Sequence, residues 1–107
     1  MQRDEMSHPR QTVIHVAGEM DMDRAHVFRA ELDAVIANAS AGVEVVVDLS
    51  GLAFCDSSGL NALLAARQHA EESGHHLRLA GPSPQVTRLL EITGTIDLFP
   101  IGSVPPA

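Results

Sequence analysis

Lysine, tryptophan and tyrosine are missing from this sequence, and cysteine occurs once, at Cys55. Without lysine there is no P-loop, whose ammonium group must reach nucleotide phosphates, and Gly18, Gly51 and Gly59 are too scattered to form a phosphate cradle. The chain itself is therefore not expected to hydrolyse nucleotide. A single cysteine permits neither an internal disulfide nor a thiolate set for zinc. With aromatic rings limited to three phenylalanines, there is no stacking platform for nucleobases. Seven arginines against fourteen acidic residues leave a net charge of −7 with no basic run, the reverse of a nucleic-acid footprint. No apolar stretch approaches the ~20 residues of a membrane span. The polar, acidic start Met1-Gln2-Arg3-Asp4-Glu5 lacks the apolar core of an export signal. Six histidines are dispersed, and His75-His76 sits in a turn without the spacing of a ligand pair, so neither a metal nor a cofactor is expected. These absences point to a cytoplasmic protein that meets another protein rather than nucleic acid or membrane.

What is present suffices for one compact domain: 107 residues, 45% of them hydrophobic. Thr12 to Ala17 is a short β-branched run ended by Gly18, which suits a strand. Glu5 to Arg10 is a possible edge strand weakened by Pro9. Ala25, Phe28, Leu32, Val35, Ile36 and Ala39 recur at helical spacing, with Asp23 placed to cap. Val43 to Leu49 is almost continuous valine, as expected of a strand covered on both faces. Ser50 to Cys55 reads as a loop. A second helix starts near Ser57, with Leu60, Leu63, Leu64 and Ala70 facing inward, and stops at Gly74. Leu77 to Ala80 is a brief strand. Gly81-Pro82 turns the chain, Ser83 caps, Pro84 opens a third helix ending at Gly94, and Ile96 to Ile101 is a last possible strand. The alternation implies an α/β fold with a mostly parallel or mixed sheet of four to five strands and about three helices. Residues 1–11 are taken as a poorly defined edge segment, 12–101 as the domain and 102–107 as a flexible tail.

In parallel sheets, partners meet the loops beyond the carboxyl ends of the strands. Two acidic segments qualify: Gly18-Glu19-Met20-Asp21-Met22-Asp23 and Asp56-Ser57-Ser58-Gly59. By itself Asp56-Ser57-Ser58 is an ordinary helix start, with Ser58 read as the cap or a first-turn residue. Asp21 either satisfies its turn or faces a partner, while Asp23 is read as structural. Asp48 is expected to accept hydrogen bonds near the sheet end, and Cys55 to be a small buried residue.

The run Val45-Val46-Val47-Asp48-Leu49-Ser50-Gly51-Leu52-Ala53-Phe54-Cys55-Asp56-Ser57-Ser58-Gly59-Leu60 resembles the signature of the STAS family of anti-sigma factor antagonists. Gly18-Glu19-Met20-Asp21 resembles that family's Gly-Glu-x-Asp loop, and the similarity runs from about Thr12 to Ile101. The resemblance implies a protein that, unphosphorylated, binds an anti-sigma factor and so frees a sigma factor. It implies that this partner is a serine kinase of the GHKL ATPase type, that it phosphorylates Ser57, and that a phosphatase acting on phospho-Ser57 reverses the step. It also implies a partner-binding surface of Glu19, Asp21, Asp56, Ser57, Ser58 and Gly59, and a chain that is not an enzyme.

A hydroxyl at a helix N-terminus stands free of the hydrogen-bond ladder, where unpaired N–H groups can receive an oxyanion. Two other tasks compete. One makes Ser57 a nucleophile activated by histidine, although no Gly-x-Ser-x-Gly elbow is present. The other makes the chain a STAS scaffold or accessory subunit of a stress-signalling or lipid-transport complex, which fold alone does not separate from an antagonist.

Overall fold

The computed structural model describes residues 11–105. The expected edge strand at Glu5 to Arg10 lies outside them, as does the end of the tail. The chain alternates strictly: β1 (Gln11–Met20), α1 (Met22–Asn38), β2 (Glu44–Cys55), α2 (Ser57–Glu72), β3 (Leu77–Ala80), α3 (Pro84–Ile92), a single 3-10 turn (Ile96–Leu98) and β4 (Ile101–Gly102). The four strands lie in sequence order and every pair is parallel. The last strand is therefore two residues rather than the six expected. Order also continues past residue 101, because the Gly81 N–H donates to the Gly102 carbonyl at 3.1 Å.

The valine run of β2 is buried on both sides, from Val45 through Leu49. Val45, Val47 and Leu49 join Leu77 and Leu79 in a core sealed by Phe28, Leu32 and Ile36 of α1, Leu60, Leu63 and Ala66 of α2, and Val86 and Leu90 of α3. Leu64, expected inward, is only partly buried against this core.

The other face of the sheet carries polar pairs on either side of buried Val46. Glu44 Oε1 accepts from Gln11 Nε2 at 3.0 Å and from Arg78 Nε at 3.3 Å, and Arg78 Nη1 donates onward to the Ser103 carbonyl at 3.2 Å. Asp48, expected to accept near the sheet end, takes the Ser50 N–H at 2.9 Å, the Ser50 hydroxyl at 2.7 Å and His15 Nδ1 at 2.7 Å. Because an ionised carboxylate only accepts, His15 must carry its proton on Nδ1.

Burial works to raise the Asp48 pKa, but the Ser50 hydroxyl and amide and then His15 outweigh it, and the net effect is a lowered value. A carboxylate depressed on folding adds stability above its unfolded value, near 4, and loses it as pH falls through the folded value. Urea unfolding between pH 7 and pH 3 is expected to show this acid-side loss. In Asp48→Asn the pH slope should flatten, and stability at pH 7 should fall by about 1–3 kcal/mol.

Gly18 does not end β1. It sits inside the strand at φ +85°, a conformation that only glycine adopts without strain. The register with β2 shifts between His15 and Ala17 and again between Gly18 and Glu19, each time with one extra residue on β2. These two bulges carry β2 through Ser50 to Cys55, the segment read as a loop, and bend it along β1.

Candidate functional site

Two strand–helix junctions stand side by side. Met20 ends β1 opposite Cys55, which ends β2. The next residue in each case is an aspartate that caps a helix. Asp21 Oδ1 accepts the Asp23 N–H at 3.0 Å at the start of α1. Asp56 Oδ1 accepts the N–H groups of Ser58 and Gly59 at 2.9 and 3.3 Å at the start of α2. The junctions are laced together by the Asp56 N–H donating to the Met20 carbonyl at 3.1 Å.

This corrects two expectations and narrows a third. The cap of α1 is Asp21, not Asp23, because β1 runs two residues beyond Gly18 and the helix starts sooner. The cap of α2 is Asp56, and Ser58, read as the cap or a first-turn residue, is the latter, second in the helix and giving its N–H to the cap. The helix terminus is also less open to an oxyanion than expected. The Asp56 side chain occupies the Ser58 and Gly59 donors, and its carbonyl takes the Leu60 N–H at 3.0 Å. Removing the cap in Asp56→Ala is expected to cost about 1–2 kcal/mol. In a thermal melt this is a drop of roughly 5–15 °C, with Asp56→Asn close to wild type.

Ser57 is the first residue of α2 and is exposed, and among the described residues no hydrogen bond engages its hydroxyl. Glu19 is exposed, and Asp21, Asp56 and Ser58 are half-buried around it. Gly59 is buried instead. A Cβ there would stand 2.6 Å from Cys55 Sγ, 2.8 Å from Met20 Cγ and 3.0 Å from the Met20 carbonyl. Its part is to let α2 seat against the strand ends.

Cys55 is buried as expected, and burial, then the Asp56 charge, pushes its thiol up to about 11. It therefore stays protonated and unreactive at neutral pH.

Sequence reasoning missed two features here. One is apolar: Met22 at the first turn of α1 is 73% exposed, and Phe54, opposite Glu19 in the ladder, is 42% exposed. The other is Gln85, whose side chain bonds to the backbone of Cys55 at both its N–H and its carbonyl. The Ser83 cap and Pro84 marked the start of α3 but gave no sign of what its first turn would reach.

Nothing else in the described residues resembles a catalytic centre. No cluster of three or more His, Cys, Asp or Glu side chains is arranged to hold a metal, and no helix is long and apolar enough to cross a membrane. His15 is committed to Asp48, His69 to Asp33 at 2.9 Å, and buried His75 to the Val43 carbonyl at 2.9 Å. A depression of about 710 Å³ lies between α1 and α2, lined by residues such as Arg29, Asp33, Ala65 and His69. Ser57 is not among its walls.

The class of protein defined so far is a small α/β domain with a four-stranded parallel sheet and three helices, offering an exposed serine at an acidic strand–helix junction. A family model described as "Mlab, STAS domain" matches residues 4–100. The chain belongs to the STAS domain family. Within that family it is 30% identical over 98 residues to an anti-sigma F factor antagonist of Paenibacillus polymyxa, covering 91% of this chain and 83% of that one. The structure of an anti-sigma factor antagonist from Mycobacterium paratuberculosis superposes with a TM-score of 0.74 at 30% identity, covering 91% of this chain and 80% of that one. The antagonist SpoIIAA in its unphosphorylated form superposes with a TM-score of 0.70 at 25% identity over 85% of this chain and 78% of its own. The chain is thus a member of the anti-sigma factor antagonist group of STAS proteins.

Proposed function

We infer that this chain binds an anti-sigma factor when Ser57 is unmodified, releasing a sigma factor, and that phosphorylation of Ser57 turns the binding off. The binding face comprises Glu19, Asp21, Asp56, Ser57 and Ser58, flanked by the exposed Met22 and Phe54. The carrying observation is the exposed Ser57 hydroxyl at the start of α2, unengaged among the described residues and close to two aspartate caps. A free hydroxyl on a rigid helix terminus can enter a kinase active site without unfolding the domain. A phosphoryl group there adds about −1.5 to −2 charge at a rim that is already acidic and where Asp56 has taken the Ser58 and Gly59 amide donors.

The anti-sigma partner is the kinase in this reading, a serine kinase of the GHKL ATPase type, and a phosphatase acting on phospho-Ser57 resets the switch. The chain supplies no catalytic residue and needs no cofactor. The test is to incubate it with a candidate anti-sigma partner and ATP, map phosphate by mass spectrometry, and measure binding before and after. Phosphate on Ser57 with loss of binding is expected. Phosphate elsewhere, or equal binding by both forms, overturns the reading. If Ser57→Asp and Ser57→Ala both bind as wild type, the chain is a scaffold or accessory subunit instead.

A further inference from the structure

We propose that Gln85 is the positioning residue of the Ser57 turn, its side-chain amide standing in for a missing strand at the end of β2. The inference rests on the switch reading above and concerns how the phosphoacceptor is held. β3 pairs with β2 only over Val45–Asp48. Past Asp48, β2 keeps β1 on one side, and among the described residues it has no strand on the other.

At the last residue of β2 this matters most. The neighbouring Asp56 N–H faces β1 and donates to Met20. Backbone groups alternate sides along a strand, so the N–H and carbonyl of Cys55 face the vacant side. Cys55 is only 2% exposed, and unpaired backbone groups at such depth are costly.

Gln85 fills the gap. Its Oε1 accepts the Cys55 N–H at 3.0 Å and its Nε2 donates to the Cys55 carbonyl at 2.8 Å. One acceptor and one donor on a planar amide is what a strand residue would present, and among side chains only those of Gln and Asn carry that amide group. The pairing also fixes which way the amide points, since the reverse orientation would set oxygen against oxygen. Gln85 reaches this spot because Ser83 caps α3, accepting the Val86 N–H at 3.2 Å, and Pro84 opens its first turn. Asp56 and Ser57 follow Cys55 directly. The cap carboxylate and the hydroxyl are thus held from both edges of β2, by Met20 on one side and Gln85 on the other.

Gln85→Met keeps the length and packing of the side chain but removes both bonds, while Gln85→Glu keeps the acceptor and sets a second oxygen against the Cys55 carbonyl. In amide hydrogen exchange on the full chain, Cys55, Ser58 and Gly59 are expected to exchange about tenfold faster or more in Gln85→Met. Unchanged exchange at Val45, Val46 and Val47 shows that the fold is intact. In the kinase reaction described above, kcat for Ser57 should fall about tenfold or more with KM within about threefold, and Gln85→Glu should fall between. Wild-type exchange at Cys55 in Gln85→Met overturns the inference, as does faster exchange with unchanged kcat. Absence of phosphate on the wild-type protein overturns the switch reading instead, and the exchange measurement then decides by itself whether Gln85 holds the turn.

Discussion

Ser57→Asp is expected to weaken binding to the anti-sigma partner about a hundredfold or more, a loss of about 2.7 kcal/mol, while Ser57→Ala stays within about threefold of wild type. The contrast separates charge from lost hydrogen bonding. Each carboxylate within about 7 Å of a new unit charge repels it by about 0.6 kcal/mol in water. Asp21 and Asp56, which cap adjacent helices at the same end of the sheet, repel the new charge in the free chain as well as in the complex, so together they weaken binding by at most about 1 kcal/mol. That is too little for a hundredfold effect. The remainder comes from burying a charge, against the partner, where a small neutral hydroxyl had been, which costs several kcal/mol when the charge gains no partner. Titration calorimetry at low and high salt distinguishes the two parts. Salt screens the repulsion but not the desolvation, so raising ionic strength should restore less than about tenfold of the affinity. Full recovery in salt would show that long-range repulsion alone runs the switch.

The α/β order and the junctions that carry the candidate site were legible because their signals are local. Ser83-Pro84 and Gly94 bracket α3, and Gly74 ends α2, at φ +83°. The continuation of β2 was not legible, for a physical reason. Its two bulges shift the side-chain phase, so that Leu49, Leu52 and Cys55 are buried three residues apart and the period of two that marks a strand disappears. With β1 likewise ended at Gly18, Asp23 looked like the cap and Asp21 like a loop residue. The Asp48–His15 and Gln85–Cys55 pairs join residues 33 and 30 positions apart, and no pattern in a single sequence reports such pairings. Gly59 shows the limit most directly. The motif that contains it was readable, but whether it faces a partner or the core depends on where Met20 and Cys55 meet.

Gly59→Ala is therefore expected to destabilise the protein by about 2–3 kcal/mol, although alanine at an ordinary helical position is about 1 kcal/mol better than glycine. The added methyl would lie 2.6 Å from Cys55 Sγ and 2.8 Å from Met20 Cγ, both on buried side chains, and 3.0 Å from the Met20 carbonyl. Neither strand end can easily give way, because the Asp56 N–H ties them together and Gln85 holds Cys55 from the far side. The first turn of α2 must lift instead, stretching the Asp56 cap and moving Ser57 with it. Thermal melts should show a fall of roughly 10–20 °C. Replacing Cys55 by Ala removes the closest obstacle, so the double variant Gly59→Ala with Cys55→Ala should be more stable than the two single effects predict, with a coupling of about 1 kcal/mol. The same double variant should regain part of the anti-sigma binding that Gly59→Ala loses, since the helix can then return towards the strand ends. An alanine at position 59 that leaves stability unchanged would mean that α2 does not seat on Met20 and Cys55, and the close fit of the two junctions would no longer account for the position of Ser57.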